Sequence, residues 1–157
     1  MDVVPTIWSF SFVKMVVLYE GILWQGGIIL RKEVIDWLAS SDYDIESAGF
    51  MFQSGRYSWC VFMCHQAVEK LLKALIIYKK KEFPPRIHNI KMLYENTGIE
   101  QNECIDTIIL KLSPHYMLSR YPDVAGGPSH SMYNKCMAEE LYEDTKRVLQ
   151  WLKQKLQ

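Results

Sequence analysis

Two stretches of this 157-residue sequence hold side chains whose types and spacing suit binding chemistry. The first is Cys64-His65-Gln66-Ala67-Val68-Glu69-Lys70-Leu71-Leu72-Lys73-Ala74. On a helix His65 and Glu69 stand one turn apart, as do Gln66 and Lys70, so polar groups share the surface of an otherwise greasy element. Their desolvation is costly unless each meets a partner or solvent. Two readings follow. Either His65 hydrogen-bonds across to another helix in a satisfied network, or His65 and Lys70 contact a ligand. The second stretch is His115-Tyr116-x-x-Ser119-Arg120-Tyr121-Pro122-Asp123 and the segment on to His130. Arginine is the preferred fork for phosphate, aromatic rings stack on bases, and histidine titrates near neutrality. Tyr116, Arg120, Tyr121, Asp123 and His130 are candidate ligand residues on that ground. The plainer reading is an Arg120–Asp123 pair beside a helix that merely ends at Tyr121-Pro122.

Other chemistries lack their residues. No phosphate-binding glycine loop occurs, and Gly126-Gly127 is an isolated pair. No H-E-x-x-H or E-x-x-H pair offers a metal site, and no nucleophile elbow is present. Neither a metal nor a cofactor is expected. Cys60, Cys64, Cys104 and Cys136 form no C-x-x-C pair and read as buried free thiols in a reducing compartment. The 18 basic and 18 acidic residues cancel, so a nucleic-acid contact must rely on a local patch rather than a global field. Lys79-Lys80-Lys81 reads as a solvated helix end. The apolar stretch over residues 3–30 carries Pro5, Lys14 and Glu20 and has neither a basic start nor a cleavage site. It predicts no membrane span and no secretory signal, hence a cytoplasmic protein.

These side chains need elements to hold them. Val34, Trp37, Leu38, Ser41, Ile45, Ala48 and Phe52 recur at helical spacing, and Gly55 supplies a stop. The run YSWCVFMCHQAVEKLLKALIIYKKK is the most helical of the chain. Its N-terminal half is apolar almost all round, which places it in the centre of a bundle or under a second subunit. Phe83-Pro84-Pro85 breaks the chain. A short helix over 88–96 ends at Gly98, and another over 102–120 is kinked or restarted by Pro114. YPDVAGGPSHS is expected to be loop. A closing helix spans 133–156. Before residue 31, aromatic and β-branched residues with Glu20-Gly21 and Gly26-Gly27 favour short strands. The expectation is an all-α, antiparallel up-and-down bundle of four or five helices over 31–157. A short extension of β character over 1–30 either lies on the bundle as a hairpin or precedes a start at Met15 or later.

Taken together, R-Y-S-W-C-x-x-x-C-H-Q-A-V-E-K-L-L-K-A-L, the proline break followed by His88-Asn89-Ile90-x-x-Leu93, and S-R-Y-P-D resemble the HEPN family, the higher-eukaryote and prokaryote nucleotide-binding domains. The likeness covers about residues 31–156. It implies an up-and-down bundle, homodimerisation, and a minimal nucleotidyltransferase as genetic partner. Many members are RNA-cleaving toxins of toxin–antitoxin or defence systems, while others bind nucleotides or only scaffold.

One departure bears on activity. The family's nuclease signature is an arginine followed by a histidine after about four to six residues. Here Arg56 and His65 have eight residues between them, Arg120 and His130 have nine, and Arg86 and His88 are too close. The sequence therefore predicts a nucleotide- or RNA-binding component rather than a nuclease. The alternatives are a metal-independent ribonuclease using Arg120 and His130, with His65 as a further candidate, and a purely structural dimerisation module.

Overall fold

The structure, a computed structural model, describes residues 18–19, 22–25 and 28–156, with side chains from Arg31 onward. The remaining N-terminal residues and Gln157 lie outside the described residues. Three short strands, β1 (Leu18–Tyr19), β2 (Ile22–Gln25) and β3 (Ile28–Arg31), form an antiparallel meander in which Leu23 pairs with Leu30. The chain then passes directly into α1 (Lys32–Gln53). After it come α2 (Tyr57–Lys80), α3 (Ile90–Asn96), α4 (Glu103–Leu112), α5 (His115–Leu118), α6 (Pro122–Ala125) and α7 (Lys135–Gln154), with a 3-10 turn at Ser129–Met132. The architecture is an antiparallel helical bundle, as the periodicity predicts.

Helix boundaries follow local chemistry. Asn89, Asn102 and Asn134 cap α3, α4 and α7, each accepting a backbone N–H of the first turn with its side-chain oxygen. At the end of α1, Gly55 adopts φ 73°. Its N–H bonds Phe52 O at 3.0 Å while that of Arg56 bonds Met51 O at 2.8 Å. That pair of bonds reverses the chain within three residues and sets α2 against α1. Pro114 restarts the helix instead of bending it, since α4 stops at Leu112 and α5 begins at His115. The segment expected to be loop contains two single turns instead. Pro122 occupies the first position of α6, where its fixed φ and missing N–H suit a helix start, and Gly126 at φ 71° ends it.

Helix α2 is the axis of the bundle. Cys60, Val61, Cys64, Ala67, Val68, Leu71, Leu72, Ala74 and Leu75 are fully buried, packed by α1 and α7 and, toward its ends, by α3 and α5. Of the two explanations for its all-round apolar character, central position accounts for most of it, and its two ends stay open, at Trp59, 46% exposed, and at Lys79 and Lys80. The cysteines divide, in partial correction of the uniform reading. Cys60 and Cys64 are buried, but Cys104 and Cys136 are exposed. Burial holds the Cys64 thiol well above the usual range, which keeps it protonated and inert. Across helices, Ser41 Oγ donates to Ala67 O at 2.7 Å. Among the described residues no helix is long and apolar enough to cross a membrane.

Candidate functional site

Helical spacing puts Phe62, His65, Gln66, Glu69 and Lys73 on one stripe of α2. Glu69 is its hub, although only 3% of it is exposed. Lys73 Nζ donates to Glu69 Oε1 at 2.7 Å from the next turn. His88, on the segment after Pro84-Pro85, brings Nδ1 to 3.0 and 3.2 Å from the two carboxylate oxygens. Gln66 Nε2 donates to Oε2 at 3.4 Å. A buried carboxylate survives only with such partners, and here it has three. Lys73 also lies 5.4 Å from the Trp37 ring centroid on α1.

Above this stripe sit α5 and the residues after it. The Tyr116 ring stacks on His88 at 4.7 Å and 9° and contacts His65 at 5.2 Å. Arg120 Nε donates to Tyr116 O at 2.9 Å. The Arg120 guanidinium lies over three rings, 4.1 Å from the Tyr116 centroid, 4.6 Å from Phe62 and 4.9 Å from Tyr121. This is cation–π retention. Among the described residues no carboxylate pairs with it. Arg120 is half-buried, and among the described residues neither the enclosed Nη2 nor Nη1 has a hydrogen-bond partner.

His65 is fully buried, and neither ring nitrogen has a hydrogen-bond partner among the described residues. Its Nδ1 stands 3.9 Å from Glu69 Oε2, beyond hydrogen-bond range. The satisfied cross-helix network is therefore not what the fold builds around it. Burial first, then the positive groups His88, Arg120, His115 and Lys73, lower its pKa to about 3. The imidazole stays neutral at physiological pH chiefly because it is buried, and the neighbouring cations add to that. Nearby, His115 Nδ1 is 2.7 Å from Tyr133 Oη. Burial lowers the His115 pKa and raises that of Tyr133 to about 12, so this is a hydrogen bond between two neutral groups.

The candidates thus separate. His65, Tyr116, Arg120 and Tyr121 come together. Lys70 does not: it leaves α2 on another side, with Nζ 2.6 Å from Asp44 Oδ2 of α1, a charge contact off the hydrogen-bond direction. Asp123 and His130 are exposed, on α6 and the 3-10 turn, and neither side chain bonds to Arg120. The expected Arg120–Asp123 pair does not form, because Arg120 turns back over the rings, and the Arg120–His130 pair is not assembled. The expectation of an open tyrosine face for a base is corrected at Tyr116, which is already stacked on His88. Sequence reasoning left Glu69, Lys73, His88 and Phe62 off the candidate set. The signal for the first two was a Glu-Lys pair at i,i+4 on the most apolar helix. His88 carried only its position after the prolines.

A family model described as HEPN domain matches residues 34–155. Among solved structures the chain is similar to TT1696 from Thermus thermophilus, at 25% identity and a TM-score of 0.72. That match covers 78% of this chain and 98% of the other. It is also similar to ST0689, an archaeal HEPN homologue, at 29% identity and a TM-score of 0.67, covering 79% of this chain and 98% of that one. No curated protein matches.

Two outcomes are expected from this geometry. Glu69→Ala strands the Lys73 ammonium, 7% exposed, and should cost about 3–5 kcal/mol in denaturant unfolding. Glu69→Leu combined with Lys73→Met should recover most of that loss, and a double variant as unstable as the single one would mean the charges are not coupled. His65 predicts a pH dependence. Its folded pKa of about 3 lies below the ordinary 6.5, so protons bind the unfolded chain first. The His65 contribution is complete above pH 6.5 and declines as the pH falls toward 3. By pH 4.5, above most carboxylate titration, about 2–3 kcal/mol should be gone, and His65→Leu should flatten that part of the curve. The groups facing His65 (Glu69, His88, His115, Lys73 and Arg120) remain in the variant, so an unchanged slope would assign the effect to them.

Proposed function

The chain belongs to the HEPN domain family, and from that premise we propose that it is a nucleotide- or RNA-binding component whose phosphate contact is Arg120. The observation that carries this reading is a half-buried guanidinium held by three aromatic rings, with no carboxylate among the described residues to neutralise it. Lys73 and His88 already spend the one buried anion of the site, Glu69. What is left over is the positive charge of Arg120, which lies near enough to His65 to add to the effect of burial on its pKa. A phosphate oxygen at Nη1 supplies the missing partner through a charge-assisted bond. Neutral His65 acts as a buried wall of the site rather than as a base.

Losing one charged contact costs about 1.5–3 kcal/mol of binding, roughly ten- to a hundred-fold in affinity. Arg120→Ala should weaken binding of a labelled oligoribonucleotide or of ATP by that factor. Asp123→Ala, which removes an exposed and unpaired side chain, should change neither affinity nor melting temperature. Unchanged affinity in Arg120→Ala with a clear loss of stability would leave the cation as a structural staple and the family's scaffolding role as the better account.

The partners of this reading are a second copy of the chain and a minimal nucleotidyltransferase, as part of a toxin–antitoxin or defence-type module in the cytoplasm. Both partners follow from the family. Exposed Leu110, Met117, Val124, Met132 and Met137 offer apolar surface for one of them. Light scattering at micromolar concentration and ordinary salt should give the mass of a dimer, and a monomer would remove the homodimer from the proposal.

A further inference from the structure

The ring system that holds Arg120 does not end at Phe62. Trp59 meets Phe62 edge to face at 5.9 Å and 80°, and Phe62 carries the Arg120 guanidinium at 4.6 Å. Trp59 in turn lines an open groove of about 420 Å³ with Met51, Ser54, Arg56 and Met63. A path of ring, ring and cation therefore joins the groove to the candidate anion site. The Gly55 turn builds the groove, since the Arg56 N–H bond to Met51 O fixes Arg56 at its rim and Met51 in its wall. Arg56 is exposed, and among the described residues its side chain has neither a cap bond nor a carboxylate partner.

We infer that this groove is a base-stacking subsite, and that the ligand is a single strand of at least two nucleotides. A strand whose phosphate rests on Arg120 lays the neighbouring base on Trp59, and Arg56 meets the next phosphate. From Arg56 to Phe62 the helix advances about 9 Å, so Arg56 is placed for the phosphate of the next nucleotide, which a mononucleotide on Arg120 lacks. The groove is large enough for one flat heterocycle. Its floor of methionine thioethers beside an indole suits a polarizable ring of any base identity. Its lining contains no acidic side chain, and among the described residues neither arginine at the ends of the path has a carboxylate partner, so the complementary occupant is a polyanion carrying aromatic groups. A base must be unpaired to stack there, which excludes the interior of a duplex. The inference rests on Arg120 being a phosphate contact.

The test uses the full chain, fluorescein-labelled octauridylate followed by anisotropy, and uridine monophosphate as a competitor. Octauridylate should bind at least tenfold more tightly than the mononucleotide. Trp59→Ala should weaken octauridylate roughly five- to a hundred-fold, the range for loss of one base–aromatic stack, and leave the mononucleotide unchanged. Trp59→Phe should retain most of the affinity. Arg56→Ala should reduce the salt slope of octauridylate binding by about 1. Arg120→Ala should weaken both ligands. If Trp59→Ala binds octauridylate like the parent while Arg120→Ala does not, the subsite is wrong and the anion site stands. If the parent protein binds neither ligand, both fall. If Trp59→Ala changes the mass in light scattering and not the affinity, the groove is a subunit contact and the assignment is overturned.

Discussion

The Glu69 carboxylate lies in the middle of the central helix, cut off from water, and its need for partners organises the surface around it. A buried charge of that kind costs several kcal/mol unless donors surround it. Lys73 answers from one turn along the same helix, which local spacing guarantees. The second donor, His88, has to be brought from the irregular segment beyond Pro84-Pro85. Docking that imidazole against α2 fixes a flat surface, and Tyr116 stacks on it. The carbonyl of Tyr116 then orients Nε of Arg120, and the Tyr116 ring holds the guanidinium. One carboxylate thus determines, through three contacts, where Arg120 stands, a cation with no carboxylate partner among the described residues.

The charge balance around that carboxylate explains how a protein of zero formal net charge can present a positive site. Ion pairing elsewhere is local and balanced. Lys111 meets Glu140 and Asp144, Arg147 meets Asp144, and Lys153 on α7 meets Asp42 on α1. The exposed pair Lys153–Asp42 contributes little to stability, and paired charges of either kind leave little field behind. At the α2–α5 contact the count differs, because Lys73 and His88 share the Glu69 carboxylate and no carboxylate among the described residues pairs with Arg120. His65 stays neutral there first because it is buried and then because of the charges beside it. The potential is short-ranged and screened within a Debye length, so it favours a ligand already in contact over one steered from afar.

Aromatic side chains serve two purposes along the same stripe. Tyr116 and Phe62 are committed to Arg120, which they hold without neutralising it, since a ring quadrupole attracts a cation but carries no net charge. Trp59, one turn toward the helix start, has the same chemistry with its surface still open. The difference is one of position alone. Tyr116 of α5 lies against Phe62 and His65, whereas Trp59 meets only Phe62 among the rings.

Much of this protein follows from local patterns that one segment carries by itself. The periodic apolar residues of α1, α2 and α7, the asparagine caps, the Gly55 stop and the Pro114 restart all depend on neighbours within a few positions. They therefore specified an all-α bundle without any knowledge of packing. Arg120, Tyr116 and His65 were legible as site residues from their chemistry, and as a set from the motifs shared with the family. The pairing of those residues was not. Asp123 and His130 lie close to Arg120 in sequence, yet the turn of α6 carries them outward. Lys70 adjoins Glu69 in sequence, yet helical geometry points it at Asp44 on α1. Conversely, nothing local to His88 says that it completes a carboxylate nineteen residues earlier. Partnership between charged side chains depends on which helix faces meet across the bundle. Only the packing of the whole chain around α2 decides that, because the desolvation of Glu69 is felt only once the bundle has closed.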